Sequence, residues 1–82
     1  MSLDHRMQRF LERAARALVK HPDEVEVRVE DGRRATRFEL HAPRQDRGQL
    51  IGREGITVRS LRTLASISAH KHRRRFEVEI PD

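Results

Sequence analysis

In Leu50-Ile51-Gly52-Arg53-Glu54-Gly55-Ile56-Thr57-Val58-Arg59, two glycines bracket two charged residues, with apolar residues on both sides. Glycine reaches backbone angles closed to other residues, and without a Cβ it lets another backbone come close. After the pair, Val58, Leu61, Leu64, Ala65 and Ala69 recur at helical spacing and predict a long helix from about Ile56 to Lys71. Ile67 widens its apolar sector, so cover on more than one side is expected. Before the pair, the segment from about Asp46 to Ile51 has room for one or two helical turns. The glycines therefore join two helices, and the second helix opens at the loop. Its free amides and the positive end of its dipole face whatever sits there, which suits a phosphate. Arg53 adds a positive charge, and Ile51 and Val58 are expected to line an adjoining groove for bases. Standing alone, a four-residue glycine pattern fits an ordinary turn between helices equally well.

Working outward, EVEVRVE (24–30) alternates strictly, with Val25, Val27 and Val29 on one side. TRFELHA (36–42) does the same with Phe38, Leu40 and Ala42, and RFEVEI (75–80) with Phe76, Val78 and Ile80. Such alternation marks half-buried strands. Asp31-Gly32 is a turn signal, so the first two strands form a hairpin with Arg33 and Arg34 at its tip. The outward positions, Glu26, Arg28, Glu30, Arg37, Glu39, Glu77 and Glu79, are rich in opposite charges and suit cross-strand charge pairing. At the start, Leu3, Met7, Phe10, Leu11, Ala14 and Leu18 predict a helix from about Leu3 to Lys20, closed by His21-Pro22. Arg6, Arg9, Arg13, Arg16 and Lys20 run along another face of that helix as a basic stripe. The inner sheet face is expected to pack against Phe10, Leu18, Leu61 and Leu64. The expected fold class is α+β, in the order helix, strand, strand, short helix, long helix, strand.

The totals narrow the function. Eighty-two residues suit a single domain, here 1–82 with a core of about 4–80. Eighteen Lys and Arg oppose thirteen Asp and Glu, a formal charge of +5. Only Lys20 and Lys71 are lysines, so the excess is carried by arginine, whose planar fork suits phosphate and stacks on bases. Cysteine is absent, which removes thiolate chemistry and cysteine-bound zinc. His70 and His72 lie two apart on a helix and do not share a face, and no HExxH pair occurs, so no metal site or cofactor is expected. Ser60, Ser66 and Ser68 lie in a helix rather than at a nucleophile elbow. The expectation is a binding protein, not an enzyme, with no small-molecule substrate. No apolar run approaches the roughly 20 residues needed to cross a bilayer, and MSLDHRMQRF lacks an apolar leader, so a cytoplasmic protein without membrane insertion is expected.

The order of elements and the Gly52–Gly55 loop resemble the KH domain, whose glycine loop clamps about four nucleotides of single-stranded backbone. ALVKHPDEVEVRVEDG (17–32), LIGREGITVRSLRTLASISAHK (50–71) and RFEVEI (75–80) are similar to the small bacterial KH proteins of the KhpA (YlqC) family, and the likeness covers about Asp4 to Ile80. It implies the type II arrangement, α-β-β-α-α-β, with helices on one face of a three-stranded mixed sheet. It also implies single-stranded RNA bound by Gly52, Arg53, Glu54 and Gly55, with Ile51, Val58 and Arg59 beside the bases. Arg33 and Arg34 would fall at the variable loop that borders the other side of the groove. The family further implies an RNA chaperone or adaptor in post-transcriptional regulation. It suggests a homodimer or a complex with a larger Jag-type RNA-binding protein, and links to cell shape, elongation and division. Alternatives are a protein-interaction or ribosome-assembly module on the same fold, or single-stranded DNA as ligand. The roles of the Arg6–Lys20 stripe and of the Lys71–Arg75 cluster are left open.

Overall fold

Ser2 starts the first helix by accepting the amide of His5 on its hydroxyl at 3.1 Å, a cap that satisfies one orphan donor. The computed structural model describes residues 1–82. Helix α1 spans Leu3–Leu18, β1 Glu26–Asp31, β2 Thr36–His41, α2 Arg44–Ile51, α3 Ile56–Lys71 and β3 Phe76–Glu79. A short 3-10 turn, Pro22–Glu24, links α1 to β1. The order and the α+β class follow the hydrophobic periods, and the predicted bounds of α3 are those observed.

The sheet order is β1-β2-β3, with β1 and β2 antiparallel and β2 and β3 parallel, so the sheet is mixed. Val27 faces Leu40 across the hairpin, and Phe38 faces Val78 across the parallel pair. Phe38 and Phe76 meet edge to face with ring centroids 5.0 Å apart. Both are buried, as their alternation predicted. The core beneath the helices combines Val25, Val27, Phe38, Leu40, Phe76 and Val78 with Met7, Leu11 and Ala15 of α1, Leu50 of α2, and Leu61, Ala65 and Ala69 of α3.

Four expected core residues lie elsewhere. Phe10 is 41% exposed and Leu64 49%, and Leu18 and Val29 are exposed as well. Each helix buries one row at four-residue steps, Met7-Leu11-Ala15 and Leu61-Ala65-Ala69. Phe10 and Leu64 are offset from those rows by about 100° of helix rotation. Leu18 falls on the last residue of α1, and Val29 on β1, an edge strand, toward the hairpin tip. Small Ala15, Ala65 and Ala69 take the central positions instead, which brings the helices close to the sheet.

The outer face carries exposed charge pairs, Arg28 with Glu26 and Arg37 with Glu30 and Glu79, and a part-buried hydrogen bond between His41 and Glu39. The hydrogen bond from Arg28 holds Glu26 below the usual carboxylate range, and the one to Glu30 raises Arg37. Such exposed pairs add little stability, and Glu77 on the same face stands outside them. Edge strand β3 is capped sideways by Arg62, whose Nε donates to the Val78 carbonyl at 2.9 Å.

One polar contact ties the helices together. Asp46 on α2 is fully buried and accepts from the backbone amide of His21 at 3.0 Å and lies 3.0 Å from its Nδ1. This clamp fixes the turn after α1 onto α2, and with it the point where α2 enters the loop. Replacing Asp46 with Ala leaves the His21 amide without its acceptor, which costs about 1–3 kcal/mol. Chemical denaturation of Asp46→Ala checks this; an unchanged midpoint and slope would mean that the clamp contributes nothing.

Candidate nucleic-acid interface

Helix α2 ends where the chain must reverse over the core, and Gly52 makes the reversal with φ 79°, ψ 168°. That region is nearly closed to residues with a side chain. A Cβ at position 52 would overlap the Thr57 hydroxyl and lie 2.8 Å from the Thr57 amide nitrogen. Gly55 has φ 76° and leads into α3. Between them Glu54 is also left-handed, with φ 55° and ψ 25°, a conformation that costs an ordinary residue about 1–2 kcal/mol.

The turn consumes the amides of Gly52, Gly55 and Ile56, bonded to the carbonyls of Gly48, Gly52 and Arg53. Arg59, one turn into α3, reaches back and donates from Nη1 to the Glu54 carbonyl at 2.6 Å. It braces the strained residue and holds a guanidinium at the loop. Arg53 and Glu54 are both exposed, and neither side chain is used in packing. The loop thus presents a concentrated set of donors, from Arg53, Arg59 and the opening of α3, around a single carboxylate.

Ile51 is exposed on the α2 side of the loop, whereas Val58 is only 7% exposed. Val58 lies on the buried face that its helical spacing marks and supports the loop from below, rather than lining an open groove for bases. The open face next to the loop is formed by Ile56, Arg59, Ser60, Thr63 and Leu64, a shallow recess of about 370 Å³. Farther on, Arg62 and Ser66 face the β3 edge across a second recess of about 510 Å³. Arg59 was expected here and Leu64 was assigned to the core; the other α3 residues were missed in the sequence because they are polar or isolated, although the helical spacing that marks the buried row also marks them, one face around. Arg33 and Arg34 lie at the far end of α3, beside its C-terminus. With 16 residues in α3, that places them about 24 Å of helix length from the glycine loop. No helix of the chain is long and apolar enough to cross a membrane.

The family model described as KhpA/KhpB, KH domain, matches residues 8–80. The RNA-binding protein KhpA of Halalkalibacterium halodurans is 37% identical over 76 residues, covering 93% of this chain and all of that one. The RNA-binding protein KhpA of Borreliella burgdorferi is 39% identical over 73 residues, 89% of each chain. That of Treponema pallidum is 43% identical over 68 residues, 83% of this chain and 85% of its own.

The two loop glycines differ in what they tolerate. At position 55 a Cβ meets only the mobile end of Arg59, at 3.3 Å, whereas at position 52 it meets backbone. Gly55→Ala is expected to cost about 1–2 kcal/mol from its left-handed backbone alone, and Gly52→Ala clearly more. Thermal melts of the two variants check the order; equal melting temperatures would show that position 52 is not held as described.

Proposed function

The chain belongs to the KhpA/KhpB KH-domain family, and on that premise we propose that it binds single-stranded RNA through the loop Gly52-Arg53-Glu54-Gly55. The observation that carries the reading is the loop itself: a glycine reversal opening onto α3, with two exposed arginines beside it. Loops of this kind hold about four nucleotides by their backbone. Arg53, Arg59 and the start of α3 take the phosphates. Ile51 and the recess at Ile56, Ser60 and Thr63 receive the bases, and Val58 shapes the loop beneath them. Glu54 turns its carboxylate to solvent. The activity is binding rather than catalysis, with no cofactor. The family further supports a single-domain cytoplasmic RNA chaperone or adaptor in post-transcriptional regulation, with consequences for cell elongation and division.

The test follows from the exposure of both central residues. Arg53→Asp with Glu54→Asp removes a cation and leaves two carboxylates where a phosphate must approach. Aspartate is among the residues that best tolerate the left-handed backbone at position 54. Surface changes of this kind cost under about 0.5 kcal/mol, so the variant is expected to melt like the parent. Titration of labelled single-stranded RNA is expected to show no measurable binding. A variant that melts and binds like the parent would move the site away from the loop.

A protein partner is favoured by a separate observation. Ile67 is 61% exposed and follows Leu64 on the outer face of α3, uncovered within the chain. We read this face as the contact for a second copy or for a larger Jag-type RNA-binding protein. Sedimentation of the parent and of Ile67→Asp is expected to show a dimer reduced to a monomer; two monomers would rule out self-association through α3.

A further inference from the structure

Helix α1 carries its charge in one row. Arg6, Arg9, Arg13 and Arg16 follow one another at steps of three, four and three residues, and Lys20 stands just beyond the helix. At a rise of about 1.5 Å per residue, the four arginines cover about 15 Å of one helix side. Every one of these cations is exposed. The acids of the helix are taken elsewhere, Asp4 by Arg74 and Glu12 by Arg16. Arg16 is also held by the sheet, with Nη2 donating to the Val25 carbonyl at 3.4 Å. Arg6, Arg9, Arg13 and Lys20 enter no ion pair within the chain. Phe10, 41% exposed, lies one helical turn from both Arg6 and Arg13, and exposed Ala17 follows it two turns on.

The fold makes no use of this row. Like charges three and four residues apart oppose a helix, and cations near its start oppose the dipole. Arginine beside an aromatic ring is, however, the composition of the anchoring centre of protein interfaces. Placement separates the row from the glycine loop. Gln8 and Arg16 donate to the Val27 and Val25 carbonyls, so α1 lies along the β1 edge of the sheet, whereas α3 packs on β3, the opposite edge. Single-stranded RNA is recognised through bases splayed into clefts, and the row stands on a convex helix side. A second copy would bring the same cations against these. The surface that matches is another helix, with carboxylates at steps of three and four and an apolar side chain between them, because its period equals that of the row.

We propose that this side of α1 docks an acidic amphipathic helix of another protein, with carboxylates on Arg6, Arg9 and Arg13 and an apolar side chain on Phe10. The surface is distinct from the α3 face at Ile67 and from the glycine loop, so the acidic helix and RNA are held at the same time. The docking does not depend on the RNA-binding reading of the loop.

The test uses the full chain and a labelled synthetic helix of about 20 residues, with glutamates at steps of three and four and leucines beside them. A peptide of the same composition, with its glutamates spread around the helix, is the control. The parent is expected to bind the first about tenfold more tightly than the second, with an affinity that falls as salt rises. The main variant is Arg6→Gln, Arg9→Gln, Arg13→Gln, which leaves the held Arg16 alone. It is expected to lose about tenfold in affinity for the first peptide. It is also expected to melt no lower than the parent, because repulsion along the helix is relieved, so unfolding does not account for the loss. Phe10→Gln is expected to weaken the first peptide without changing the salt dependence. Equal binding of the two peptides, or a triple variant that binds the first like the parent, overturns the proposal. So does a triple variant that keeps the peptide but loses an RNA hairpin duplex, or vesicles of phosphatidylcholine and phosphatidylglycerol, since the row would then belong to nucleic acid or lipid. Displacement of the peptide by a short single-stranded RNA would place the row in the RNA site and overturns it as well. The double change at Arg53 and Glu54 is expected to leave the peptide bound, so a failure of the loop reading leaves this one standing.

Discussion

Everything around the loop depends on a steric constraint between Gly52 and Thr57. The chain leaves α2 and re-enters a helix within four residues, and the backbone at position 52 passes so close to Thr57 that no Cβ fits. That close passage aims the first turn of α3 outward and sets the row of α3 that faces the sheet. Leu61, Ala65 and Ala69 then reach the core, and Arg59 is left free to fold back on Glu54. A loop set this tightly has its donors in place before a ligand arrives, so little ordering cost remains at binding. The left-handed Glu54 belongs to the same economy of space: the strain of one residue is held by the packing of its neighbours.

The architecture was legible in the amino-acid order because period two and period 3.6 are strong signals in a chain with few loops. The three alternating runs became the three strands, and the helix expected from Ile56 to Lys71 has those bounds. What was not legible was which of two adjacent apolar rows turns inward. Phe10 is larger than Ala14 or Ala15, and size argued for burial, yet close approach of α1 to the sheet favours the small residue. The Asp46–His21 clamp was hidden for another reason: its partners are 25 residues apart and one of them is a backbone amide.

The candidate site divides in the same way. The tight reversal at the glycine loop could be anticipated from its own residues, because two glycines between helical segments signal a local turn. Val58 was placed beside the bases from its position next to the loop, whereas its helical spacing marked the buried face where it lies, so it serves the loop from underneath. The proximity of Arg33 and Arg34 to the 73–75 cluster depends on the parallel pairing of β2 with β3, which brings Thr36 beside Phe76. Nothing local in the sequence announces that pairing. The hairpin tip therefore looked like an isolated basic turn, and the cluster after α3 looked like ordinary charge at a helix end.

The cap that Arg62 places on the Val78 carbonyl bears on how this small protein behaves when crowded. An open strand edge is a template on which another chain can lay its own backbone, and a succession of such additions makes a fibre. Here the edge carbonyl is already occupied by a guanidinium, and the flanking Glu77 and Glu79 would meet identical carboxylates on any copy that approached in register. A sheet of three strands, with so little core to protect it, is thereby hindered from growing a fourth beside β3.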